Sequence, residues 1–217
     1  MINNGGGQFE DETDLLWPKL PPGAIGTSIA DYNQDGSPDV FLVYADAQNR
    51  LLINNGVGKF VDKTGWLLPT ILDQSTHADW ADFDLDGDND LLITNKEIAK
   101  HYQSYSDETC YFLENIGAGR FIKKPNKMLP VEPAARVYLL DANGTGIPDV
   151  IILAKKGLHY LIGEGKWRFS IETEKRFPQT SPMREMSFGD INRDGFLDIL
   201  GLVAKNNNPK LWLNRVE

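Results

Sequence analysis

Hydrophobic residues in this chain fall in short runs, separated by breaks rich in glycine, asparagine and aspartate. Val40–Tyr44, Leu91–Thr94, Val150–Ala154 and Ile199–Ala204 are β-branched or leucine-rich and too short for helices, so they predict buried strands. Leu51–Asn54, Tyr111–Glu114, Leu158–Ile162 and Leu211–Asn214 predict a second series of strands. No apolar run approaches the length needed to cross a membrane.

Each strand of the first series follows the same nine-residue window. The four copies are Asp31-Tyr-Asn-Gln-Asp-Gly-Ser-Pro-Asp39, Asp82-Phe-Asp-Leu-Asp-Gly-Asp-Asn-Asp90, Asp141-Ala-Asn-Gly-Thr-Gly-Ile-Pro-Asp149 and Asp190-Ile-Asn-Arg-Asp-Gly-Phe-Leu-Asp198. Oxygen-bearing side chains stand at positions 1, 3, 5 and 9, and Gly stands at position 6. Calcium is a hard cation that takes about six to eight oxygens. Alternate side chains of such a loop can surround one ion, and the glycine lets the backbone reverse so that the carbonyl of position 7 joins them.

The predicted ligands are therefore Asp31, Asn33, Asp35, Ser37 and Asp39 in the first loop, and Asp82, Asp84, Asp86, Asp88 and Asp90 in the second. They are Asp141, Asn143, Thr145, Ile147 and Asp149 in the third, and Asp190, Asn192, Asp194, Phe196 and Asp198 in the fourth. Ser37, Asp88, Ile147 and Phe196 would contribute backbone oxygens. The second loop is richest in carboxylates. The third has Thr145 where the others have Asp, and it should bind most weakly or stay empty. Three to four Ca²⁺ ions are expected. An EF-hand is excluded, because position 12 is Leu42, Ile93, Ile152 or Gly201 instead of Glu, and strands follow the loops.

A second signature alternates with the loops. Asn3-Asn-Gly-Gly-Gly-Gln-Phe9, Asn54-Asn-Gly-Val-Gly-Lys-Phe60 and Asn115-Ile-Gly-Ala-Gly-Arg-Phe121 are alike, and Gly163-Glu-Gly-Lys-Trp-Arg-Phe169 is a worn copy. Such glycine-rich segments supply the positive φ angles of hairpin turns. The unit holds four strands: one into the Asp loop, one out of it, one before the glycine turn and one after it. A four-stranded antiparallel unit of this length is a β-propeller blade. The fold expected is thus all-β, a single propeller domain over 1–217 with four repeats. Gln8–Thr13 could complete the last blade and close a four-bladed ring. Alternatively, the repeats belong to a larger propeller.

These residues resemble the FG-GAP or VCBS repeat family, the repeats of the integrin alpha-chain head. Phe60-x-Asp-x-Thr64 and the stretch from Trp80 to Thr94 are closest to VCBS repeats of secreted bacterial proteins, and the third unit departs at Thr145 and at Gly163–Trp167. The resemblance implies calcium in the loops on one face of the disc and partners on the opposite face.

The net charge of −9 owes much to the 13 Asp residues of the four loops, and four Ca²⁺ would offset most of it. No basic stripe suits nucleic acid. Cys110, the only cysteine, cannot form an internal disulfide. Weak calcium sites, with dissociation constants of about 10⁻⁴–10⁻³ M, fit the outside of the cell or the periplasm. No nucleophile elbow, zincin motif or phosphate loop is present, and His77 beside Asp79 and Asp82 reads as a loop histidine. The function expected is a non-catalytic extracellular recognition or adhesion module with a protein partner. A glycan-binding lectin, or the propeller of a polysaccharide-degrading enzyme, is the alternative. The partner surface expected is the insertion after Lys96, with His101, Tyr102 and Tyr105, together with Trp17 and Trp66.

Overall fold

The computed structural model describes residues 2–3, 6–96, 109–124, 129, 132–177 and 181–214. After a short N-terminal hairpin of β1 (Ile2–Asn3) and β2 (Phe9–Glu10), the strands form consecutive antiparallel sheets. The first blade is β3 (Ala24–Ala30), β4 (Asp39–Tyr44), β5 (Arg50–Asn54) and β6 (Phe60–Asp62). The second is β7 (Ser75–Ala81), β8 (Asp90–Asn95), β9 (Cys110–Asn115) and β10 (Phe121–Lys124). The third is β11 (Ala134–Leu140), β12 (Asp149–Ala154), β13 (Leu158–Gly165) and β14 (Arg168–Ile171). The fourth has three strands among the described residues: β15 (Met183–Gly189), β16 (Asp198–Val203) and β17 (Pro209–Trp212). The all-β expectation and the four-fold repeat of small antiparallel sheets are met.

The apolar runs are continuous because the second strands of the first three blades, β4, β8 and β12, are buried on both faces, while Leu200 of β16 is exposed. In β4, Phe41 and Val43 face the second blade, where they meet Leu91, Ile93, Tyr111 and Phe121. Val40, Leu42 and Tyr44 face the other way and are covered by Trp17, Leu20 and Phe60. The junction of blades two and three repeats the arrangement with Phe83, Phe112, Ile152 and Phe169. At the junction of blades three and four no described outer strand supplies the matching phenylalanine. A cavity of about 420 Å³ lies there, lined by Tyr160, Ile162, Leu197 and Trp212 among others.

Closure by the N-terminal strand is not formed. Asn3 pairs with Phe9 in the register in which Asn54 pairs with Phe60 and Asn115 with Phe121. The glycine turn folds β2 onto β1, and the edge that β17 would need is taken. A short loop closes at lower entropic cost than a contact across the whole chain.

Among the described residues, three one-turn helices escaped the sequence reading: α1 (Thr13–Leu16), α2 (Thr64–Leu67) and α3 (Thr173–Arg176). The signal for two of them was the Asp-x-Thr pair. Asp62 accepts from the Thr64 N–H at 2.9 Å and Asp11 from the Thr13 N–H at 3.0 Å. Thr64 Oγ1 in turn accepts the Leu51 N–H, which ties the helix to β5.

Strand polarity puts the four Asp loops and the glycine hairpins at one end of the sheets. The connections between second and third strands, and between blades, leave from the opposite end. A buried network there joins the second blade to the first: Asp73 accepts from Ser75 Oγ and Tyr111 Oη, both at 2.6 Å, and Asn49 Nδ2 donates to Ser75 Oγ at 2.8 Å. Its hydrogen bonds satisfy it, which suits a structural role.

Candidate metal centres

Each Asp loop is built by its own side chains before any ion is considered. The carboxylate at position 1 accepts the backbone N–H groups of positions 5 and 6, and Asp82 also accepts that of Leu85 at position 4. For Asp31 these come from Asp35 at 3.1 Å and Gly36 at 2.9 Å, and for Asp82 from Asp86 at 3.2 Å and Gly87 at 2.9 Å. Asp141 takes them from Thr145 and Gly146, and Asp190 from Asp194 and Gly195. Position 5 then accepts the N–H of position 7: Asp35 from Ser37, Asp86 from Asp88, Asp194 from Phe196. In the third loop Thr145 Oγ1 makes that bond at a longer 3.4 Å. Gly at position 6 has φ between 76° and 99° in all four, which a side chain would resist. The third loop therefore keeps the shape of the others and differs in charge.

The carboxylate at position 9 has another task. Asp39, Asp90, Asp149 and Asp198 are fully buried. Each accepts the N–H of a residue at or near the end of the third strand: Asn54, Asn115, Gly163 and Asn214 respectively, at 2.8–2.9 Å. Asp90 Oδ2 also accepts the Phe83 N–H at 3.0 Å, and Asp149 and Asp198 repeat that bond with Ala142 and Ile191. These residues pin loop to sheet, and their oxygens keep lone pairs that a cation could share. Burial pushes the Asp90 carboxyl up to about 8 and that of Asp39 to about 6.

Among the described residues, Asp82, Asp84 and Asp86 form the one group of three or more acidic, histidine or cysteine side chains with ligand atoms within 4.8 Å of one another. Asp84 Oδ1 and Asp88 Oδ1 are enclosed without a hydrogen-bond partner. Burial, then the neighbouring Asp86, Asp84 and Asp82, raise the Asp88 carboxyl to about 6. Crowded carboxylates with oxygens left over are what a hard divalent cation would neutralise, so the donor set fits calcium. Here Asp82, Asp84, Asp86 and Asp90 would hold the ion with carboxylates and Asp88 with its carbonyl. The Asp88 carboxylate, which the sequence offered only as a carbonyl donor, lies outside this group of three but close enough for their charges to raise it. Loops one and four pair an Asn with an Asp: Asn33 Nδ2 donates to Asp35 Oδ2 at 2.9 Å, and Asn192 Nδ2 to Asp194 Oδ2 at 2.8 Å.

The loops also join neighbouring blades. The carbonyl at position 2 accepts a donor from the next sheet: Tyr32 O from Asn115 Nδ2 at 3.2 Å, Ala142 O from Asn214 Nδ2 at 2.8 Å, and Phe83 O from the Trp167 N–H at 3.1 Å. Tyr32 also lies across the second blade's hairpin, where a Cβ on Gly119 would come within 2.6 Å of its Oη. Sequence reasoning missed Tyr32 and Trp167. Their signal was an aromatic at loop position 2 and an aromatic inside the worn glycine turn.

Of the expected partner residues, His101, Tyr102 and Tyr105 lie outside the described residues. Trp17 packs on Phe60 with ring centroids 5.3 Å apart and covers the first blade. Trp66, on α2 at the end opposite the Asp loops, is 82% exposed. His77 lies in β7 and not in a loop as expected, and it does not pair with Asp79: its Nδ1 has no partner, while Asp79 accepts from the Trp80 N–H and Ser28 Oγ. Burial, with a smaller effect of Arg136, lowers the His77 imidazole to about 4 and keeps it neutral. His159 is held by Glu132 at 2.5 Å. No described helix is long and apolar enough to cross a membrane.

Comparison with known proteins agrees with this architecture. No curated protein matches the chain. Among solved structures, a lectin of Agrocybe aegerita, described for specific recognition of non-reducing terminal N-acetylglucosamine, aligns with a TM-score of 0.51 and 22% identity. The match covers 80% of this chain and 45% of the lectin's, so this chain spans less than half of that structure, and at this identity the likeness is one of fold. The profile of the FG-GAP-like repeat matches residues 31–93 and 141–201, more than half of the sequence. The chain belongs to the FG-GAP-like repeat family.

Proposed function

We propose that this chain is a non-catalytic recognition or adhesion module, extracellular or periplasmic, whose blades are stiffened by calcium and whose partner is a protein. The observation that carries the reading is the second loop. Three carboxylates lie within 4.8 Å of one another, and Asp84 and Asp88 each keep an enclosed oxygen with no protein donor. Loops one and four share its backbone frame with two side-chain carboxylates and an Asn at positions 1, 3 and 5. The third loop has Thr145 there and holds calcium least well. An ion in any of the first three loops would brace the junction with the following blade, because those loops carry the inter-blade hydrogen bonds.

The exposed Trp66 supports a partner surface at the end away from the ions, since a rigid amphipathic ring suits an interface. A glycan is the second reading, favoured by the lectin that shares the fold. An array of glycans and a panel of cell-surface proteins, probed with the chain in calcium and in chelator, separates the two. The account expects calcium-dependent binding to a protein, weakened by Trp66→Ala. Binding confined to glycans would move the conclusion to a lectin, and hydrolysis of a polysaccharide would overturn the non-catalytic reading.

A further inference from the structure

The third blade's glycine turn is the one that departs from the repeat, and its departure points at the second Asp loop. Lys166 and Trp167 form the tip of the β13–β14 hairpin with φ of 53° and 61°. A left-handed conformation is unfavourable for a ring as bulky as tryptophan. The first and second blades have Gly58 and Gly119 where Trp167 stands, and Val57 and Ala118 where Lys166 stands. Here the ring crosses to the neighbouring blade. Its centroid is 5.1 Å from that of Phe112 and 5.7 Å from that of Phe83, and the Lys124 ammonium sits 4.6 Å from the ring centroid. The Trp167 backbone N–H donates to Phe83 O, and its indole Nε1–H donates to Asp84 Oδ2 at 3.1 Å. The other oxygen of that carboxylate, Oδ1, is the enclosed atom without a partner.

We propose that Trp167 is a positioning residue for the second loop: its indole fixes Asp84 so that Oδ1 is presented to a calcium ion, and occupancy of that loop thereby tightens the junction of the second and third blades. The inference rests on the reading that the second loop holds calcium. Outer hydrogen-bond partners of metal ligands commonly change affinity by about 10- to 100-fold when removed. Trp167→Phe keeps an aromatic ring and deletes the donor.

Calorimetric calcium titration of the wild type, Trp167→Phe and Asp86→Ala tests this. The step lost in Asp86→Ala identifies the second loop. Trp167→Phe should weaken that step about ten-fold and leave the others unchanged, an effect that a role in packing alone would not confine to one step. An unchanged second-loop step overturns the inference while leaving the calcium reading standing. A wild type that takes up no calcium overturns both. Should Trp167→Phe fail to fold, ¹⁵N-indole spectra of the wild type decide. One of the five tryptophan N–H resonances should shift on calcium addition and lose that shift in Asp86→Ala. The absence of any such resonance overturns the inference.

Discussion

Two aspartates of the same loop should fail in different ways. Asp86 is exposed, and its replacement by Ala should change stability in calcium-free buffer by no more than about 0.5 kcal/mol. In calcium the same variant should melt lower than the wild type, because an ion loses a ligand. Asp90 is fully buried and holds the Asn115 and Phe83 N–H groups. Asp90→Ala orphans both and should cost about 2–4 kcal/mol even without calcium. Urea unfolding of the two variants with and without calcium checks the contrast. The pH dependence has a definite sign. In the folded, calcium-free protein Asp90 holds its proton up to about pH 8, and Asp39 and Asp88 up to about 6. In the unfolded chain such groups release it near about pH 4. Between those values the native state binds more protons than the unfolded one, so stability should fall as pH rises from about 4 to 8. Calcium favours the ionised carboxylates and should flatten or reverse that slope. A rise in the calcium-free urea midpoint across this range would contradict the assignment.

At the scale of the element, the second strands and the Asp loops were legible because each is a local pattern: an apolar run, or alternating oxygens closed by one glycine. The glycine hairpins were legible for the same reason, though the pairing of their Asn with their Phe came only with the structure. The one-turn helices were not, because four residues such as Thr-Gly-Trp-Leu carry no helical period; α2 is held instead by Asp62 and by the bond from Thr64 to β5. The worn third turn could not be interpreted from the sequence either. Gly163 stands where the other blades have Asn, and a Cβ there would lie 2.2 Å from Pro148 O. Restoring the repeat with Gly163→Asn should therefore destabilise the protein, by about 3 kcal/mol or more, where similarity to the other repeats argues for a gain. Thermal melts check it. Thr145→Asp is the opposite case: the third loop already has the backbone frame, so one added carboxylate should create or strengthen a calcium step in calorimetry. No gain would mean that charge is not what weakens this loop.

For the whole molecule, the sequence conveyed four repeats but not how the ends are arranged. A contact between β2 and β17 depends on the competition between a local turn and a distant edge, and β2 pairs with β1. The role of calcium is likewise a property of the assembly, because each of the first three loops bonds to the next blade. An occupied site with a dissociation constant of about 10⁻⁴–10⁻³ M should add roughly 1.4–2.7 kcal/mol in about 10 mM calcium. Chelation should thus lower the melting temperature of the entire chain in one transition. The most direct measurement is a diffraction map from crystals grown in millimolar calcium. The account predicts an ion in the first, second and fourth loops, with oxygen distances of about 2.3–2.6 Å and Asp82, Asp84 and Asp86 among the ligands of the second. Water alone in the second loop under those conditions would contradict it.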